Sequence, residues 1–154
     1  MKEHTQDHMK MAGHLLALTL WIRNVMTDLV ILQSDPGLME SYKQSSSSFE
    51  QQQNPWKQKS FIEVRKKFAE LFPEIAGKYE TRLEVLQHLV DFFTHARYSL
   101  NSPVIHGPSD RQDQPYMSIE LTEEKYQTIL DFLMTFEEEV FPEMERYAEM
   151  EGLR

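Results

Sequence analysis

The residues most able to do chemistry lie in one run, Arg97-Tyr98-Ser99-Leu100-Asn101-Ser102-Pro103-Val104-Ile105-His106-Gly107. An imidazole titrates near neutrality and can move a proton. A guanidinium stays charged and grips a phosphate through a planar fork. With His106 as general acid or base and Arg97 on the scissile phosphate, the run could cleave RNA without a metal. The plainer alternative leaves Arg97 as a cation at the carboxyl end of a helix, where the helix dipole favours it, and His106 as a loop residue. The histidines form a second candidate set. His4 and His8 share a helix face, and His88 and His95 lie two turns apart. Either pair could begin a transition-metal site completed by Glu from a facing helix. The Glu-x-x-His pattern of carboxylate-bridged bundles does not occur, so no metal and no cofactor are expected. There is no glycine-rich phosphate loop, no HExxH and no nucleophile elbow. With no Cys, thiolate nucleophiles, thiolate metal sites and disulfides are excluded.

Charge is distributed unevenly. The chain carries 25 acids against 16 Lys and Arg, a net −9. That gives no whole-molecule attraction for nucleic acid. From Ser118 to Arg154, eleven acids stand against Lys125, Arg146 and Arg154, which leaves −8. The opposite pole is Lys57, Lys59, Arg65, Lys66 and Lys67, opposed only by Glu63. Glu137, Glu138 and Glu139 would suit a basic protein partner and the basic stripe an anionic one. Alternatively, the two poles pair with each other inside the fold.

The elements that must position these residues are helices. Leu15, Leu18, Ile22, Val25, Leu29 and Leu32 step by three and four, which predicts a helix over 5–33 ended by Asp35-Pro36-Gly37. The polar run over 45–55 reads as a flexible loop. Ser60 with Glu63 forms a capping box for a helix over 61–72, and Pro73 stops it. Leu86, Leu89, Val90 and Phe93 line a third helix over 81–100, and 101–117 reads as a long loop. Tyr126, Ile129, Leu130, Leu133, Phe136 and Val140 line a last helix after Thr122, interrupted at Pro142. The expectation is one all-α domain over 1–154, a bundle of four or five helices with a long loop before the last long one. Trp56 is expected in the core. The longest uncharged apolar stretch, Met11 to Ile22, is shorter than the roughly 20 residues that span a bilayer. A soluble, cytoplasmic protein without membrane contact is therefore expected.

A helical domain with Arg and His-Gly at a helix–loop junction is similar to the HEPN superfamily. The run Ser99 to Gly107 resembles that family's Leu-Arg-Asn-x-x-x-His-Gly run, and the similarity covers roughly 60–142. The family holds its Arg closer to its His than the eight residues that separate Arg97 from His106. With His106 in register, the Arg position falls on Asn101, and Pro103 would break a helix there. Either the segment from Leu100 to Pro103 bulges out and Arg97 still reaches, or the chain is non-catalytic. The resemblance implies a homodimer with the motif facing its twofold mate, and a role in antiviral defence, toxin–antitoxin or RNA-directed biology. The first expectation is a regulatory or interaction module. A metal-independent endoribonuclease using Arg97, Asn101 and His106 is the second, and a metal-binding bundle the third.

Overall fold

Apolar residues at three- and four-residue steps wind the first helix, α1 (Glu3–Ser34), so that Leu15, Ile22, Met26 and Val30 are completely buried. A computed structural model describes residues 3–44, 47–99, 102–109 and 113–152. Helix α1 runs through the middle of the helical bundle and touches every long element around it. Its segment Asp7–Ser34 is long and apolar enough to cross a membrane, longer than the uncharged run alone suggests, and half of its most apolar stretch is buried inside the fold.

A 3-10 turn (Pro36–Leu38) and the short helix α2 (Met39–Lys43) lead to α3 (Ser47–Lys57). The polar stretch expected to be a flexible loop is thus mostly helix. Phe49 explains the difference: it is buried with Ile31 and Leu32, and Trp56 joins that small cluster to the main core. Burying a Phe contributes roughly 1.5–3 kcal/mol, which anchors the glutamine-rich helix on α1. Trp56 is therefore partly buried core, as expected.

Helix α4 (Phe61–Leu71) starts at the predicted capping box, with the Ser60 amide donating to Glu63 at 3.0 Å. Pro73 opens the short helix α5 (Pro73–Lys78), and α6 (Glu80–His95) follows almost without a break. Phe68, Leu83, Leu86 and Phe93 from α4 and α6 close on α1. After the hairpin described next, Thr122 caps α7 (Glu123–Thr135) by accepting from the Lys125 amide. A π-helical turn (Phe136–Val140) joins α7 to α8 (Phe141–Gly152). Pro142 would clash with the carbonyl four residues back in a regular helix. The widened turn, in which the Phe141 amide donates to the Phe136 carbonyl, accommodates it.

The third helix ends at His95, short of the predicted Leu100, and the segment expected as a long loop holds a β-hairpin. Strand β1 (Val104–Pro108) pairs antiparallel with β2 (Tyr116–Glu120), from Val104 opposite Glu120 to Pro108 opposite Tyr116. Ile105 and Gly107 face inward and are buried. Gly107 lies directly on Phe92 of α6. A Cβ there would sit 2.6 Å from Phe92 Cδ2 and 3.1 Å from the Phe92 carbonyl oxygen. Only glycine allows that approach. Gly107→Ala should destabilise the fold by about 1–3 kcal/mol through overpacking, measured by urea unfolding. An unchanged midpoint would show that the hairpin does not rest on α6.

Candidate functional site

The seat of the hairpin brings Arg97 and His106 together through the backbone. Past the extended cap Ala96, the Arg97 amide donates to the His106 carbonyl at 2.6 Å, and the His106 amide donates to the Arg97 carbonyl at 3.2 Å. Arg97 is thus a short third rung beside β1. It follows the helix cap directly instead of lying in the last turn of α6. Residues directly opposite in an antiparallel ladder send their side chains to the same face. The separation along the chain is therefore spanned by backbone pairing, which places the two residues on one face.

The ladder fixes a further neighbour. An antiparallel residue points its amide and carbonyl to the same side. Because His106 spends both on Arg97, its pairing with Ser118 on β2 is the closer, non-hydrogen-bonded kind, with Cα atoms about 4.5 Å apart. The side chains meet accordingly: His106 Nδ1 and Ser118 Oγ are 2.7 Å apart. Arg97, His106 and Ser118 make one exposed row across three backbone segments. An imidazole held at Nδ1 presents Nε2 to a ligand, beside a permanent cation. Such a row can bind a phosphate and shuttle a proton. Ser118 is absent from the sequence-level set. Its only signal there is the weak alternation of Tyr116 to Leu121. Asn101 lies outside the described residues.

Among the described residues, no group of three or more His, Cys, Asp or Glu is placed to hold a metal ion. His88 and His95 both act electrostatically on Asp91, whose carboxyl is raised by burial and lowered in part by those two rings. The side chain of His4 lies outside the described residues. His8 borders a crevice with Asp7, Lys10 and Glu123.

Among the described residues, no ion pair joins the two charged poles. Glu139 bonds Arg82, and Glu143 takes Lys78 at 3.1 Å and the Tyr79 hydroxyl at 2.7 Å. The acidic segment is thus anchored on α5 and the start of α6, leaving Glu137 and Glu138 exposed. In the basic pole, Arg65 donates to Gln87 at 2.9 Å and Lys67 pairs with Glu70 at 3.2 Å. Lys66 is exposed. Lys57 and Lys59 line a groove against α6.

Comparison with known proteins returns nothing: no family model, no curated protein and no solved structure matches the chain.

The Tyr79 hydroxyl, with Lys78 and Arg146, holds the Glu143 carboxyl below its ordinary value of 4.5. A carboxyl depressed in the folded state contributes stability above its unfolded value and loses it as pH falls through the folded one. Glu143→Gln should therefore cost about 1 kcal/mol at neutral pH. The gap to the parent protein should close as pH drops below 4.5. Equal gaps in denaturant unfolding at neutral and strongly acid pH would show that this network does not stabilise the fold.

Proposed function

We propose that this chain is a HEPN-like regulatory or interaction module of the cytoplasm. It binds a protein partner, self-associates, and serves RNA-directed, toxin–antitoxin or antiviral-defence biology. The supporting observation is the set of large side chains left exposed on the hairpin and beside it. Tyr116 on β2 is 77% exposed, Met117 beside it is exposed, and Tyr98 follows Arg97 into solvent. Met9 of α1 borders the same crevice as Tyr98. Large side chains left in water at one end of a folded domain mark contact surface. A second copy meeting this end would also bring two Arg97–His106–Ser118 rows into one cleft. Sedimentation equilibrium tests the self-association. The parent protein should be dimeric at micromolar concentration, and Tyr116→Glu with Met117→Glu should shift it to monomer with helix content unchanged. A monomeric parent protein overturns this part of the proposal.

A second reading, a metal-independent endoribonuclease, is favoured by the Arg97–His106–Ser118 row itself. His106 would take the proton of a ribose 2′-hydroxyl as that oxygen attacks the adjacent phosphorus. The bond to the 5′-oxygen would break, leaving a 2′,3′-cyclic phosphate, and that oxygen would leave with a proton taken from water. Arg97 would hold the phosphate and its developing charge. Cleavage of single-stranded RNA in the presence of a chelator tests it. His106→Ala and Arg97→Ala should each lower the rate by at least about 100-fold. No cleavage by the parent protein, or full cleavage by either variant, rejects catalysis here.

A further inference from the structure

Between the turn joining α3 to α4 and the last turns of α6 lies a groove of about 350 Å³. Its floor is apolar, formed by Phe61, Val90 and Leu20, the last left 37% exposed on α1. Its lining carries three cations, Arg23, Lys57 and Lys59, against the acid Asp91. Two of the cations are held in place. The Arg23 guanidinium donates to the Trp56 carbonyl at 3.3 Å and to the Lys59 carbonyl, and Lys59 Nζ sits 4.3 Å above the Trp56 ring. Pre-positioned charges lose less side-chain entropy on binding a partner. The ion pairs among the described residues involve none of the three. Two acids of the C-terminal segment, Glu139 and Glu143, are engaged on α5 and at the start of α6.

We propose that this groove docks an acidic peptide segment of a partner protein, with an apolar side chain over Leu20 and carboxylates on Arg23, Lys57 and Lys59. The proposal rests on the interaction-module reading and names the chemistry of its partner. A peptide suits both halves of the groove, whereas a nucleic-acid backbone suits only the rim. Phe61, the aromatic ring of the floor, is buried, so a base has no exposed face there to stack on. The net charge of −9 does not forbid an acidic ligand. At physiological salt, charges beyond about 8 Å are largely screened, so the local cations govern the contact. Acidic motifs are read by clustered cations in this way.

Selection of phage-displayed random dodecapeptides on the full chain, and on a Lys57→Glu, Lys59→Glu variant, tests the proposal. Both lysines are exposed, and circular dichroism verifies the variant's fold. The parent protein should enrich acid-rich peptides that carry an apolar residue. A synthesised winner should bind the variant at least about tenfold more weakly, and Leu20→Glu should weaken it as well. No acidic enrichment on the parent, or equal binding by the charge variant, overturns the proposal. A single-stranded oligonucleotide that binds through Lys57 and Lys59 while no acidic peptide does assigns the groove to nucleic acid, and also overturns it. None of these substitutions touches the hairpin. The groove can therefore fail while dimerisation through Tyr116 and Met117 stands, and the reverse.

Discussion

The hairpin sits on α6 through a contact that leaves no room for one added carbon. Gly107 rests against Phe92, and that approach sets the height at which β1 crosses the end of the helix. From that height the rest follows. The chain leaving α6 runs alongside β1, so Arg97 finds His106 as its backbone partner. Because that pairing uses both backbone groups of His106, Ser118 becomes its close side-chain neighbour on the other flank. A larger residue at position 107 would lift the strand from the helix, and the row of Arg97, His106 and Ser118 would lose its frame. The His-Gly pair thus has a structural logic: the imidazole faces outward while the next residue must be small enough to face inward.

Charge is divided between internal and external use. The acidic C-terminal segment is anchored through Glu139 and Glu143 to Arg82, Lys78 and Tyr79, which ties the last helix to the start of α6. The opposite end of α6 faces the groove that holds Lys57 and Lys59. Two poles that look complementary in the sequence therefore serve different ends of the same helix. Long-range pairing between them was physically open, but donors closer in the fold, Arg82, Lys78 and the Tyr79 hydroxyl, bond the carboxylates instead.

Much of the bundle was legible in the sequence because helical burial leaves a strong periodic trace. Leu15, Ile22, Leu86 and Leu133 all fall on predicted stripes and are buried. The Ser60–Glu63 cap and the Thr122 start are local chemistry and were readable as such. Helix α3 was not, because a single buried aromatic, Phe49, anchors a run that is otherwise polar; its partners, Ile31 and Leu32, lie far back in the chain. The hairpin was hidden for a different reason. Strand β2 is exposed along nearly its whole length, so it lacks the alternation that burial of one face imposes. Arg97 and His106 were visible as residue types, but their convergence depended on a strand pairing with no periodic signature, and Ser118 depended on it twice over.

Amide hydrogen exchange followed by NMR tests the central claim most directly. If the hairpin is seated on α6 and paired with the chain that leaves it, the amides of Arg97 and His106 are both in cross-strand hydrogen bonds. Both should exchange far more slowly than in an unstructured peptide. Exchange of either at the free-peptide rate would mean that the two residues are not held together, and the row of Arg97, His106 and Ser118 would not exist in solution.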